Sequence, residues 1–305
     1  MKRTAFLLAF ILCVLPLVSC QQPEPSDELT IITTIFPQYD FARAIVGERA
    51  EVKMLLAPES ESHTYEPSMT DIAAVSQADL FIYTGNGIDT WAEDMTKSLK
   101  DADTVFLASA QFALHELEHG HDHIDHDHSC PVDEHVWTSP INAKSMLYGI
   151  LEAIVSIDPA NEDYYRANAD AYASELDLLD ALFQDVADGA KRREIVVADR
   201  FPFAYLLNEY GIEYTAALSG CSVGQEPSAS VIAEMIAKVS EDGVPYVFVI
   251  ENSDGKTAKL ISEATGCGIL TLHSCHNVTE RELIDGVTYV DLMKQNAENL
   301  RFALN

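Results

Sequence analysis

Seven of the ten histidines fall between Gln111 and Pro140, and an eighth lies upstream in His63-Thr64-Tyr65-Glu66-Pro67. The dense part comprises His115, His119, His121, His123, His126 and His128, interleaved with Glu116, Glu118, Asp122, Asp125 and Asp127. It runs on into Asp133-Glu134-His135-Val136-Trp137-Thr138-Ser139-Pro140. Imidazole is a borderline-soft nitrogen donor suited to zinc, copper and nickel, so such a run among carboxylates points to a cation. Closely spaced imidazoles on a flexible tract make weak, multiple sites, which would collect metal near a tighter one. His115-Glu116-Leu117-Glu118-His119 is also a literal HExxH, the signature of a zinc metalloprotease. That chemistry needs both histidines on one face of a stable helix, with the glutamate as general base. Gly120 and the alternating His/Asp tract allow about one turn of helix at most, so the peptidase reading ranks well below simple metal binding.

His63 and His135 are the stronger candidates for a tight site. His63 follows Glu59-Ser60-Glu61-Ser62, an exposed turn rather than an apolar face, and Glu66 is placed to accept an imidazole N–H. His135 precedes Trp137, whose ring can pack against it. Zinc takes four ligands in near-tetrahedral geometry from His, Cys and carboxylates. Cys130, Cys221, Cys267 and Cys275 form no CxxC pair, which leaves a thiolate cluster unsupported and the disulfide pairing open.

The elements that must position these residues alternate. Leu29–Ile35, Val52–Leu56, Ala78–Tyr83 and Thr104–Leu107 read as strands. Between them Tyr39–Val46, Ser68–Gln77 and Ile88–Leu99 read as helices, the rhythm of a doubly wound layer. Asn142–Val155 resumes as helix after the histidine tract. A second series has strands at Ile195–Ala198, Tyr246–Ile250 and Gly268–Leu272, with helices at Phe203–Glu209, Ser228–Glu241, Lys256–Thr265 and Asp291–Leu304. Between the series, Asn161–Gly189 follows Pro159 and carries apolar residues at Tyr165, Tyr172, Leu176, Leu179, Phe183 and Val186. That spacing predicts one amphipathic helix of about seven or eight turns. The expected fold is therefore α/β: two doubly wound lobes, residues 29–157 and 191–305, each a mostly parallel sheet flanked by helices. One long rigid helix within residues 158–190 joins them and limits their relative swing.

Residues 1–19 read as a secretory signal: basic Lys2 and Arg3, an apolar stretch from Ala5 to Val18, then Ser19-Cys20. Residues 20–28, with Pro23, Pro25 and Ser26, have the composition of a tether. The formal net charge is −30, and two units more negative once Lys2 and Arg3 leave with the leader. Such a balance argues against nucleic acid and anionic membrane surfaces as electrostatic partners.

Taken together, Leu17-Val18-Ser19-Cys20 as a lipobox, His63-x-Tyr65-Glu66-Pro67, the segment from Asp133 to Pro140 and the acidic histidine tract before it resemble a family. It is that of the zinc- or manganese-specific solute-binding lipoproteins of bacterial ABC importers, the class with a helical backbone. The resemblance implies lipidation of Cys20, an extracytoplasmic membrane-anchored monomer, and an ABC permease with its ATPase as partners. It also implies a metal site between the lobes, two ligands from each. His63 and His135 match the first-lobe pair. In the second lobe the expected third ligand falls on Arg200 of Asp199-Arg200-Phe201-Pro202-Phe203-Ala204-Tyr205, and arginine cannot ligate. Asp199 is the candidate substitute, against a helix N-cap or a partner of Arg200. The fourth position aligns with Leu272-His273-Ser274, giving His273, while nearby His276 is assigned to solvent. The histidine count favours zinc over manganese, which prefers more oxygen donors. Cell adhesion, reported in this class, is one further rival and has no protein-binding patch in the sequence to support it; a metal buffer or chaperone without a transporter is another, and differs from the receptor only in its partner.

Overall fold

The computed structural model describes residues 29–85, 87–113, 133–218, 220 and 224–305. The first lobe is built on β1 (Leu29–Thr33), α1 (Phe36–Val46), β2 (Ala50–Met54), α2 (Met69–Val75), β3 (Leu80–Tyr83), α3 (Thr90–Ser98) and β4 (Val105–Ala108), followed by α4 (Pro140–Ile157). Helix α5 (Glu162–Gly189) leads to the second lobe. There follow β5 (Glu194–Val197), α6 (Ala204–Glu209), β6 (Glu213–Ala216), α7 (Ala229–Glu241), β7 (Tyr246–Val249), α8 (Lys256–Thr265), β8 (Gly268–Thr271), α9 (Glu280–Asp285) and α10 (Tyr289–Leu304).

Each lobe holds a four-stranded, all-parallel sheet, in the orders β2-β1-β3-β4 and β6-β5-β7-β8. Strands sandwiched between helices on both faces must be apolar throughout, which is why LTIIT and YVFV are β-branched and aromatic runs rather than alternating ones. In a sheet of this order, ligands bind outside the carboxyl ends of the strands, where the winding reverses. The reversals lie between β1 and β3 in one lobe and between β5 and β7 in the other.

Two second-lobe elements escape the sequence reading, β6 and α9. Helix α1 also begins at Phe36, earlier than Tyr39, because Pro37 occupies its first turn, where a missing N–H loses no bond. Helix α5 has 28 residues, about 42 Å at 1.5 Å per residue. Its buried stripe (Tyr165, Ala169, Ala173, Leu176, Leu179, Phe183, Val186) lies along one face and packs against α1, α4 and α10. One continuous hydrophobic cluster runs through both lobes, from Ile31 and Phe41 by way of Trp137 and Phe183 to Tyr289 and Leu304. Smaller clusters around Phe81 and Val247 lie apart from it. The lobes therefore share a core, and opening them wide would expose it.

A buried carboxylate reinforces this junction. Asp40 of α1 accepts from the Tyr172 hydroxyl of α5, the Tyr289 N–H of α10 and the Arg43 guanidinium. Burial raises the Asp40 carboxyl above its ordinary value, only partly offset by those donors.

Candidate metal centre between the lobes

The loop after β2 carries His63. Trp91 of α3 donates its indole N–H to the Ser62 carbonyl at 3.0 Å, and the Tyr65 ring packs on the Trp91 ring at 4.8 Å. From the other lobe, the Asn277 side-chain amide donates to the Ala57 and Ser60 carbonyls, 2.8 Å each, and the Glu59 N–H reaches the Val278 carbonyl at 3.0 Å. The loop is thus held from both sides of the cleft.

His135 enters from the segment after β4, just before a 3-10 turn at Val136–Thr138. Asp133 accepts from its Nδ1 at 2.7 Å, which fixes the proton there and presents Nε2 as the donor atom. The second Asp133 oxygen accepts the Ala204 N–H at 2.9 Å, at the start of α6 in the second lobe. Trp137 is fully buried, packs edge-on to the His135 ring at 5.1 Å and donates to the Ser274 carbonyl at 2.8 Å. His135 is therefore oriented by groups that themselves grip the second lobe.

Between the lobes lies a cavity of about 50 Å³, walled by Glu59, Ser60, Glu61, His63 and His135 from the first lobe. The second lobe contributes Arg200, Pro202, Ile250, Glu251, Asn252, Ser274 and His276. Arg200 follows β5 and Glu251 follows β7, the strands flanking the reversal. A space this small suits an ion with a few waters rather than an organic ligand.

His63 and His135 stand with ring centroids 6.2 Å apart. His63 Nδ1 lies 3.6 Å from a Glu134 oxygen, while its Nε2 is buried without a hydrogen-bond partner. Gly87 makes room for Glu134: a Cβ there would come within 2.4 Å of its carboxylate oxygen. Burial, then repulsion from His135, lowers the His63 pKa to about 4. Burial likewise lowers that of His276. Both imidazoles are neutral near pH 7, the state a metal requires.

The second-lobe residues fall differently from the sequence expectation. His276, assigned to solvent, is on the cavity wall; its Nε2 accepts the Ser62 N–H at 3.3 Å and lies 3.7 Å from Glu61 Oε1. His273 is turned away into structural bonds. Its Nδ1 accepts the Cys275 N–H at 2.9 Å, and its backbone is paired on both sides with the Asn296 side chain. The turn that separates the two is Cys275, whose φ of 61° places it in the left-handed region. Asp199 is also off the wall: it accepts the Arg200 N–H at 2.8 Å and the Ser253 hydroxyl. It does not cap α6, whose N-cap is Phe203. Glu66 is exposed, and Glu134 takes the place facing His63.

Arg200 reaches across the cleft to Glu61, Nη1 to Oε2 2.8 Å. Burial raises the Glu61 carboxyl, but the facing His276 ring and the Arg200 guanidinium outweigh it and hold it below its ordinary value. Glu251 beneath them is also held low, burial being outweighed by His273, the Ser274 hydrogen bonds and His276. Among the described residues, no three His, Cys, Asp or Glu side chains converge at ligand distance around one point.

Cys267 and Cys275 are free and buried. Cys130, Cys221, the tract holding His115, His119, His121, His123, His126 and His128, and the leader with Cys20 lie outside the described residues.

Two doubly wound lobes joined by a backbone helix, with an imidazole-lined cavity at the strand ends between them, define a solute-binding protein of the helical-backbone class. The chain belongs to the zinc-uptake complex component A periplasmic family (ZnuA), matched over residues 31–303. It is 32% identical to the high-affinity zinc uptake system protein ZnuA of Bacillus subtilis, across 99% of this chain and 98% of that one. It is 31% identical to the zinc-binding lipoprotein AdcA of Streptococcus pneumoniae over 99% of this chain, spanning 61% of that longer relative. The Zn(II)-bound ZnuA-like domain of Streptococcus pneumoniae AdcA superposes with a TM-score of 0.77 at 27% identity, covering 91% of this chain and 99% of that one.

Proposed function

We propose that this chain is the extracytoplasmic receptor of a zinc importer: it captures Zn²⁺ in the interlobe cavity and delivers it to an ABC permease driven by its ATPase. His63, His135 and His276 are the protein ligands. The observation that carries this is the His63 Nε2 atom, buried on the cavity wall without a hydrogen-bond partner. A buried polar atom left unpaired is destabilising by about 1–3 kcal/mol, which a metal bond would more than offset. The donors come from both lobes, so neither half holds the ion alone and capture is tied to the lobe arrangement. His276 now accepts the Ser62 N–H, so ligation through Nε2 exchanges that bond for the metal and shifts the Glu59–His63 loop. A set dominated by imidazole favours zinc over manganese. Cys20 anchors the receptor to the membrane by its lipid, and the histidine tract collects metal beside the cleft.

A competitive zinc titration tests this on soluble protein from Gln22 onward and on the same chain lacking Glu116 to His128. One tight zinc in both is the expected result, with lower total stoichiometry after the deletion. Loss of the tight site on deletion would move the binding centre to the tract.

A further inference from the structure

We propose that Arg200 masks the Glu61 carboxylate from the captured ion and so sets the metal selectivity of the cleft. This rests on the cleft being the metal site. Glu61 lies two residues before His63 on the same loop. One of its oxygens lies 3.7 Å from His276 Nε2, which places the carboxylate within reach of an ion held on that atom, and the same oxygen accepts the His63 backbone N–H at 3.5 Å. The other oxygen is taken by the Arg200 guanidinium from the opposite lobe at 2.8 Å, in a pair about three-quarters buried on each side. The backbone that carries the arm is itself held in place: Asp199 accepts the Arg200 backbone N–H and is fixed in turn by the Ser253 hydroxyl. A guanidinium keeps its charge at every physiological pH, so the mask is permanent rather than titrated.

The chemistry that follows separates two classes of divalent ion. Zinc is satisfied by imidazole nitrogens and accepts water in a remaining position. Manganese(II) favours carboxylate and other oxygen donors. An ion that needs Glu61 must first displace Arg200 from it, whereas one content with nitrogen need not. The guanidinium also repels any dication, but that repulsion acts on both metals alike and cancels in the ratio of their affinities. Withholding a carboxylate does not cancel. Arg200, standing where the family resemblance places a ligand, thus acts as a specificity residue without touching the metal.

The test is the ratio of Mn²⁺ to Zn²⁺ affinity, each measured by competition with a chromogenic chelator, in wild type and in Arg200→Gln, Arg200→Lys and Arg200→Gln/Glu61→Gln. Arg200→Gln is expected to raise Mn²⁺ affinity at least about tenfold more than Zn²⁺ affinity. Arg200→Lys, which keeps the charge opposite Glu61, is expected to retain most of the wild-type ratio, and the double variant to return to it. Equal changes for both metals in Arg200→Gln would reduce Arg200 to a general repulsive charge and overturn the proposal. So would a manganese gain that survives Glu61→Gln. Circular dichroism melting identifies any variant that has not folded; should Arg200→Gln be one, the Arg200→Met ratio decides on the same terms. Absence of tight zinc from wild type itself would instead defeat the assignment of the cleft.

Discussion

The two halves of the cleft are built on the same strand order yet do different work. The first lobe supplies two imidazoles, each backed by a carboxylate: Glu134 for His63 and Asp133 for His135. The second lobe supplies one imidazole on the cavity wall, His276, beside a guanidinium and the buried Glu251. On the proposed function, the first half is a ligand pair with its supports, and the second combines one ligand with groups that adjust charge. Coordination strength should therefore be concentrated in the first lobe, and discrimination in the second.

Substitutions sharpen this comparison. His63→Ala or His135→Ala should weaken zinc binding at least about a hundredfold in competitive titration, because removing a ligand exceeds the 10–100-fold typical of its outer partners. Unchanged affinity in both would remove the first lobe from the site. Next in size, His276→Ala should weaken zinc by about a hundredfold, the smallest loss of the three ligands, because its bond to the metal is partly offset by the Ser62 N–H bond it gives up. His273→Ala should leave zinc affinity unaltered but destabilise the fold by about 1–3 kcal/mol, since the Cys275 N–H loses its acceptor. Chemical denaturation beside the titration separates these, and the reverse pattern would restore His273 as the ligand.

The smallest expected effect is on pH. An ordinary imidazole near 6.5 loses about tenfold in metal affinity for each unit below that value. His63, with its pKa lowered to about 4, should bring almost no proton competition between pH 6.5 and 5. Affinity should accordingly fall less steeply than three ordinary histidines would impose. The metal-free fold feels the same shifts as a loss of stability at low pH. Its buried His63 and His276 refuse protons that the unfolded chain accepts, so stability is full above about 6.5 and declines as pH falls from there towards 4. Melting temperature followed with and without zinc over that window checks both signs.

Most of the fold was legible because buried parallel strands advertise themselves as β-branched runs, and because the stripe of α5 repeats cleanly over seven or more turns. Strand β6 was not, since EYTA at the sheet edge is short and lacks a continuous apolar run. Helix α9, ERELID, is short and buries no residue, so no periodic face marks it. In the cleft, His63 and His135 stood out through their neighbours. The choice between His273 and His276 could not be read in the same way. Both follow β8, and which one faces the cavity depends on the left-handed backbone at Cys275, a conformation that cysteine does not announce. The Arg200–Glu61 pair was equally hidden, because its members lie 139 positions apart and meet only across the folded cleft.

The most direct test of the central claim is the zinc anomalous signal from crystals of the zinc-loaded protein. One strong peak bonded to His63, His135 and His276 between the lobes is the predicted result. A zinc coordinated by His273 or Asp199, or no zinc between the lobes, would contradict it.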